Sequence, residues 1–138
     1  MDSERCNKCD NCIADILKVI LILQEGATQM DSCLETCDRG FLGQQCQPTN
    51  YNTRPIVLYM CGANDVPFSA PISKSPTETT TSNVFRVEKL DDCCATCRIL
   101  YLSDSATSEY SNTNQFVTID LNCCGAIRCL TDTYVDLC

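Results

Sequence analysis

Cysteine is the feature that most constrains what this chain can fold into. The sequence holds 14 cysteines among 138 residues, and a fraction of about one in ten is typical of disulfide-rich scaffolds. A chain of this length buries roughly 68–70% of its unfolded surface, so it does not need disulfides merely to fold. The cysteines therefore exceed what one domain of this size requires, and the surplus predicts a role beyond internal stability.

The remaining composition excludes several classes of function. The net charge is −8, with 18 acidic and 10 basic residues, and no basic stripe suited to nucleic acid is present. Histidine is absent, which removes the Ser-His-Asp and Cys-His catalytic pairs. We therefore predict neither an enzyme nor a cofactor, and no nucleic-acid partner.

The targeting signals of the chain are also informative. The start, MDSERCNKCD, is polar where a secretory signal would be basic and then apolar. The longest unbroken aliphatic run, Val19–Leu23, is too short to span a bilayer. These patterns predict synthesis in the cytoplasm without a signal peptide and no membrane insertion, which conflicts with the oxidising compartment that so many cysteines suggest.

The N-terminal third is predicted to contain an arm, a helix and a turn-rich segment. Residues 1–10 are polar and are expected to form a mobile, cysteine-bearing arm, while residues 11–138 form a single domain. Apolar residues at helical spacing predict a helix over about residues 11–25, capped by Asp10 or Asn11 and ended by Gly26. The residues of its predicted buried face are Ile13, Ile16, Leu17, Ile20 and Leu23 or Gln24. Residues 27–53 are turn-rich.

Residues 54–130 carry the pattern of a β structure, followed by a tail at 131–138. β-Branched and aromatic runs alternate with turn signals, and short connections favour antiparallel neighbours, with the segment VFRVEKL-DD-CCATCRILYL expected as a hairpin. The predicted strands are 54–61, 66–70, 83–90, 94–102, 115–121 and 125–130. The fold class is therefore mainly β: a small antiparallel β-sandwich or barrel-like domain with an N-terminal amphipathic helix.

Metal binding and redox chemistry are the alternatives that the cysteine spacing leaves open. Cys6, Cys9 and Cys12 match the first three positions of the ferredoxin pattern C-x₂-C-x₂-C-x₃-C-P, but Ile16 stands at the fourth. A zinc site built from C-x-x-C halves at Cys6 and Cys94 would be spaced far more widely than a zinc finger. The C-x-x-C beginning at Cys94 also lacks the cations or helix N-terminus that lower a thiol pKa.

The adjacent pairs Cys93-Cys94 and Cys123-Cys124 indicate sulfurs that reach outward. Neighbouring residues of a strand point to opposite faces, so each pair is expected to place one sulfur inward and one outward. Three other cysteines alternate with apolar neighbours, so a place among the small core hydrophobes is open to each: Cys61, Cys97 and Cys129. Outward sulfurs, thiols of the arm and the terminal Cys138 share the ability to reach another molecule.

The strand half resembles the spore coat protein Y/Z family of endospore-forming bacteria (CotY, CotZ and the exosporium protein ExsY). The resemblance is carried by NTRPIVLY (52–59), the PF–A motif at 67–70, FRVEKLDD (85–92), CATCRIL (94–100) and VTIDLNCCGAIRCL (117–130). The chain departs from the family in lacking histidines near its N-terminus and in the arrangement of its first three cysteines.

This resemblance implies a structural protein that assembles into a homo-oligomeric ring or hexagonal two-dimensional lattice with other coat or exosporium proteins. It also explains the compartment conflict, because such proteins are made in the reducing mother-cell cytoplasm and are oxidised when that cell lyses. We expect the layer to be locked by disulfides between subunits. The candidate cross-linking residues are Cys6, Cys9, Cys12 and Cys138, followed by Cys123, Cys124, Cys93 and Cys94.

Overall fold

A computed structural model describes residues 11–30, 51–102 and 110–137 of the chain. One helix, α1, spans Cys12–Met30, and a single 3₁₀ turn spans Leu121–Cys123. The strands are β1 (Ile56–Met60), β2 (Ala70–Pro71), β3 (Thr81–Ser82), β4 (Val84–Asp91), β5 (Cys94–Tyr101), β6 (Ser111–Asp120) and β7 (Cys124–Cys129). The predicted mainly β class with an N-terminal helix is confirmed. The predicted arm, residues 1–10, lies outside the described residues.

Helix α1 begins where the sequence predicted and ends later. Asn11 is its N-cap: the side-chain Oδ1 accepts hydrogen bonds from the amides of Ile13 at 2.8 Å and Ala14 at 3.2 Å. The helix continues through Gly26 to Met30, because a single glycine costs a helix interior only about 1 kcal/mol.

The buried face of α1 is rotated slightly from the predicted one. Its members are Ile13, Ala14, Leu17, Ile20 and Gln24. Ile16, which the pattern predicts to be buried, is 38% exposed. Of the alternatives Leu23 and Gln24, Gln24 is buried and Leu23 is 51% exposed. The buried residues follow steps of four and three along one stripe, and Ile16 and Leu23 lie about a quarter turn to its side.

Five strands form an antiparallel sheet in the order β6-β5-β4-β1-β7. The predicted hairpin is β4–β5, and Asp92 makes its turn with a φ of 53°. The predicted strand at 66–70 is wrong except at its end, since only Ala70–Pro71 pairs, with Thr81–Ser82, in a separate two-stranded sheet. Pro67 has no amide hydrogen for a sheet ladder, which is the physical reason for that failure.

The five-stranded sheet is strongly curled. β6 and β7 occupy opposite edges, yet only residues 121–123 connect them. The amide of Leu121 donates to the carbonyl of Cys93 beside β5, and the amide of Cys61 after β1 donates to the carbonyl of Cys123, both at 2.8 Å. Because β1 and β5 are separated by β4, both bonds form only if the sheet bends round, which agrees with the barrel-like prediction.

The core lies inside this curl, and α1 packs against it. A bulge at Glu88 keeps Val87 and Leu90 on the inner face. Phe85 is fully buried and stacks on Phe68 at 5.6 Å. The main members of the core are Ile13, Leu17, Ile20, Ile56, Leu58, Phe85, Val87, Ala95, Cys97, Ile99, Ile119, Leu121 and Cys124.

Two side-chain contacts fasten other segments to this sheet. Gln24 of α1 is buried and donates through Nε2 to the carbonyl of Val87 at 2.9 Å, while its Oε1 accepts from the amide of Arg54 at 3.0 Å. Asn52 donates through Nδ2 to the carbonyl of Val135, and its Oδ1 accepts from the amide of the same residue, both at 2.9 Å. The segments on either side of the strand region are thereby held together.

Candidate functional site

One corner of the sheet gathers six cysteines from four separate parts of the chain. The backbone bonds of Leu121 to Cys93 and of Cys61 to Cys123 define it, and Asn11 joins α1 to it by donating through Nδ2 to the carbonyl of Leu121 at 2.9 Å. We call this region the cysteine corner. Its cysteines are Cys12, Cys61, Cys93, Cys94, Cys123 and Cys124.

Each adjacent pair has one buried and one exposed cysteine, as predicted, although neither pair lies within a single strand: Cys93 is in the turn before β5, and Cys123 ends the 3₁₀ turn before β7. Cys93 and Cys124 are each only 7% exposed, whereas Cys94 and Cys123 are exposed. Cys93 is disulfide-bonded, so its Sγ has no proton and the 3.5 Å approach to Asn122 Oδ1 is a contact without a hydrogen bond. The outward thiols are therefore the chemically available members of each pair.

Exposure separates the other thiols of the corner into reactive and protected groups. Cys12, Cys61, Cys94 and Cys123 are free and exposed. Cys124 is free but buried, and burial is the main cause that raises the pKa of its thiol, with a smaller contribution from the nearby Cys61. Its Sγ donates to the carbonyls of Ala126 at 3.4 Å and Tyr59 at 3.7 Å. Four thiols at the corner are thus open to reaction with another molecule.

The C-x-x-C motif does not bring its two sulfurs together. Cys94 and Cys97 lie three residues apart on β5, which places them on opposite faces of the sheet. Cys94 is exposed, whereas Cys97 is fully buried in the core. Burial, with smaller effects of Glu88 and Cys124, raises the pKa of Cys97 to about 12. Cys97 is therefore a core residue, as one alternative predicted, and this motif is not arranged as a dithiol pair.

Sequence reasoning missed two exposed thiols. Cys61 and Cys129 were given a possible place in the core, but both are exposed. Cys61 follows the last residue of β1 and precedes Gly62, whose φ is +82°, so the chain turns away from the core there. Cys129 ends β7, an edge strand. The glycine after Cys61 was the available signal, since a turn at that point releases the preceding side chain.

Some of the predicted cross-linking residues lie within the described part of the chain, and others lie outside it. Cys6, Cys9 and Cys138 lie outside the described residues. Cys12, the candidate at the start of α1, is exposed. Within residues 11–30, 51–102 and 110–137, no group of three or more cysteine or acidic side chains is placed to hold a metal ion. In the same part of the chain, no helix is both long and apolar enough to cross a membrane.

Comparison with known protein families identifies the family of this chain. The family model for spore coat protein Z matches residues 1–115 of the chain. The match covers α1 and β1–β5, and it ends before the segment 117–130 that contributed to the sequence resemblance. No curated protein and no solved structure matches the chain. On the family match, which extends over most of its length, the chain belongs to the spore coat protein Z family.

Proposed function

We propose that the protein is a self-assembling structural component of the spore coat or exosporium, and that it forms a hexagonal two-dimensional layer locked by disulfides. Membership of the spore coat protein Z family supports a structural role in the coat. The observation that carries the finer proposal is the set of four exposed, free thiols at the cysteine corner: Cys12, Cys61, Cys94 and Cys123. Thiols placed together on an outer surface are available to react with neighbouring subunits and do not contribute to the packing of the core.

The proposed assembly has two stages. Non-covalent contacts first set the lattice, in which heterologous interfaces close into rings and further contacts join the rings into a sheet. Each cross-link then forms when two thiols lose two electrons and two protons to an external small-molecule disulfide, which leaves as two thiols. The reducing mother-cell cytoplasm delays the second stage until that cell lyses.

Disulfides between subunits chiefly slow the dissociation of subunits from the layer. A subunit held by one weak contact leaves readily, whereas a subunit held by several bridges leaves only after all of them are reduced. The candidates near the chain ends, Cys6, Cys9 and Cys138, would form further cross-links to neighbouring subunits in addition to those of the corner thiols. The partners in this proposal are further copies of the chain and other coat or exosporium proteins.

Electron microscopy of the full-length recombinant protein, with and without reductant, tests the proposal. We expect ordered sheets in both conditions, with sheets formed in oxidant resisting dilution and detergent and running as ladders on non-reducing gels. A variant with serine at all four exposed corner positions should form sheets that dissociate on dilution. The matched control, Cys97→Ala, removes a buried thiol and should leave the ladders unchanged.

Two results would overturn the proposal. Oxidised material that runs only as monomer would remove the cross-linking, and an absence of any ordered sheet in either condition would remove the self-assembly. Elemental analysis of protein purified in reductant adds a third criterion, because stoichiometric zinc or iron would favour the cysteine-ligated metal site that the spacing of Cys6, Cys9 and Cys12 leaves open.

A further inference from the structure

The outer face of α1 is apolar although it points away from the core. Val19, Ile22 and Leu23 are 55%, 68% and 51% exposed, and Ile16 is 38% exposed. Among the described residues, no atom of another part of the chain lies within 4 Å of the position that a Cβ on Gly26 would occupy. Apolar patches that are contiguous and exposed are typical of interaction surfaces. α1 is therefore apolar on two sides, one packed on the sheet and one open.

The spacing of this open face is that of a helix that packs against another helix. Asp15, Val19, Ile22 and Gly26 follow one another at steps of four, three and four residues, which is the spacing of a coiled-coil seam. At 3.6 residues per turn, they lie on the opposite side of α1 from the buried Leu17. A second helix can therefore approach this seam without meeting the sheet.

Two opposite charges lie beside the seam. Lys18 and Glu25 flank it on one side, and the apolar Ile16 and Leu23 flank it on the other. Both charged side chains are exposed, and neither forms an ion pair with another described residue. Charges at such flanking positions set partner choice and orientation in coiled coils. The flank therefore carries information about which helix fits the seam.

An antiparallel pair of α1 helices brings these charges together. When Val19 packs opposite the partner's Ile22, the same flank of both helices lies side by side. Lys18 then neighbours the partner's Glu25, and Glu25 neighbours the partner's Lys18, so each contact holds two ion pairs. A parallel pair would separate Lys18 from the partner's Glu25 by about 10 Å along the axis and would form neither pair. The charge pattern is thus complementary to a second, antiparallel copy of itself.

The rest of the face fits the same arrangement. Ile16 neighbours the partner's Leu23 on the apolar flank, which removes both side chains from water. Asp15 lies opposite the partner's Gly26, where the missing side chain leaves room for water around the carboxylate. The contact involves only about three turns of helix. It is therefore expected to be weak in an isolated pair and effective in a layer where each subunit has several neighbours.

We infer that α1 packs antiparallel against α1 of a second copy about a two-fold axis, and that Lys18–Glu25 ion pairs between the copies fix this orientation. The inference rests on the proposed function, because it names the partner and the geometry of one non-covalent contact in the layer. The contact needs no thiol, so it forms before oxidation.

A carbodiimide experiment tests the contact. ¹⁵N-labelled and unlabelled protein are mixed in reductant, assembled and treated with a carbodiimide, which joins a lysine amine to a neighbouring carboxylate as an amide and takes up the water that is lost. Mass spectrometry of the digest should find Lys18 joined to Glu25 in peptides that combine the two isotopes. The two residues are about 10 Å apart along one helix, so this bond does not form within a folded chain. The absence of the mixed-isotope peptide from assembled material would overturn the contact.

A charge exchange tests the orientation. Lys18→Glu and Glu25→Lys each replace the two attractions of a contact by two repulsions, and each should raise the protein concentration at which the reduced chain assembles by about two- to twentyfold. The double variant restores both pairs with their charges exchanged, so it should assemble close to the wild-type concentration. A double variant no better than the single variants would overturn the antiparallel orientation.

Lys74→Glu is the matched control for net charge. Lys74 is an exposed lysine of the loop between β2 and β3, and its replacement changes the net charge as much as Lys18→Glu does. We expect Lys74→Glu to shift the assembly concentration less than Lys18→Glu. Equal shifts would show that net charge alone is responsible and would overturn the role of Lys18.

The outcomes distinguish this inference from the proposed function. Ordered sheets that lack the mixed-isotope Lys18–Glu25 peptide would overturn the α1 contact and leave the layer intact. The mixed-isotope peptide in a protein that forms only dimers would support the contact and overturn the layer.

Discussion

Two cysteines of one short motif, Cys94 and Cys97, have opposite chemical fates because a strand turns them to opposite faces. Cys94 is exposed, and Cys97 is packed among core residues. Alternation is a local property of a strand, so the opposite faces of Cys94 and Cys97 follow once β5 is recognised. The pairs Cys93-Cys94 and Cys123-Cys124 also have one buried and one exposed member, but each pair straddles a turn and the start of a strand. The depth of burial that protects Cys97 was not predictable from the sequence, because it depends on residues from other strands and α1.

Alkylation should separate these two thiols. With a pKa raised to about 12 by burial, Cys97 holds only about one thiolate in ten thousand molecules at pH 8, and the thiolate is the reacting form. We expect iodoacetamide to modify Cys94 in the folded protein at least about tenfold faster than Cys97. Peptide mass spectrometry of native and urea-unfolded samples measures both, and equal native rates would contradict the buried position of Cys97.

A second residue-scale feature is the charge cluster on the outer face of the sheet. Arg86 and Arg98 are cross-strand partners, and Glu88 Oε2 accepts from Arg86 Nη1 at 2.5 Å and from Arg98 Nε at 2.8 Å. The side chains of the two arginines are only 6% and 13% exposed. One carboxylate, placed by a bulge, is therefore the shared counter-charge of two opposed and largely buried cations.

Replacing Glu88 by Gln should destabilise the protein. The substitution leaves two opposed arginines without a counter-charge, and we expect a loss of about 2–3 kcal/mol in the free energy of unfolding. Urea denaturation in reductant measures this loss. The control Glu78→Gln alters a half-buried carboxylate that bonds only to Ser73 and Thr80 of its own hairpin and to no arginine, and should shift the midpoint less. An equal effect of the two variants would exclude a special role for Glu88.

At the scale of elements, α1 shows where sequence reasoning succeeds and where it stops. The existence of the helix and its N-cap at Asn11 follow from local signals. Its length and buried face depend on the sheet, and the exposed Ile16 and Leu23 show that apolar periodicity alone does not decide which stripe is buried. The prediction of a strand at 66–70 was wrong for a related reason, because it relied on the apolar residues of that segment and gave too little weight to Pro67.

The two roles of Asn11 can be separated by substitution. Asn11→Ala removes both the cap and the bond to the Leu121 carbonyl, and should cost about 1.5–3 kcal/mol. Asn11→Asp keeps the cap acceptor and loses only the Nδ2 donor, so we expect a smaller loss of about 1 kcal/mol. Thermal and urea unfolding in reductant give both values. If Asn11→Asp were as damaging as Asn11→Ala, the bond to the corner would outweigh the cap.

The Arg54–Asp132 pair joins two segments beside the sheet and predicts a small acid sensitivity. The hydrogen bond from Arg54 Nε, at 2.7 Å, and the guanidinium charge lower the pKa of Asp132. A lowered folded pKa contributes stability above the usual carboxyl pKa of about 3.9, and this contribution is lost as the pH falls through the folded value.

Since both side chains are about a third exposed, the contribution should not exceed roughly 0.5 kcal/mol. Asp132→Asn should therefore lower stability slightly at pH 7 and have no effect below about pH 3. Urea midpoints of the two proteins across this range measure the difference. A difference that grew on acidification would contradict the sign.

At the scale of the whole molecule, the net charge of −8 opposes the approach of further copies. If the chain assembles as proposed, salt should promote the step that precedes oxidation, because the screening length falls from about 20 Å to about 6 Å between 20 and 300 mM salt. We expect light scattering of the reduced protein to rise faster at the higher salt concentration. Slower assembly there would indicate that attraction between opposite charges dominates the contacts.

The arrangement of the whole sheet was the part least accessible from the sequence. Several strands were found from their period-two patterns, and β4–β5 from its short turn. The order β6-β5-β4-β1-β7 and its curl depend on pairings between distant residues, such as Ile56 with Phe85 and with Cys129. The cysteine corner follows from that order, so no local pattern could have placed Cys61 beside Cys123.

The long-range contacts of the cysteine corner also bear on when its thiols first meet. The bond from Asn11 to Leu121 closes a separation of 110 residues, and contacts that close such long loops form late in folding. Oxidation of a chain that is still unfolded would pair its cysteines before the corner exists. A correctly bonded molecule therefore requires that folding be complete before oxidation begins, and the topology of the sheet imposes that order in time.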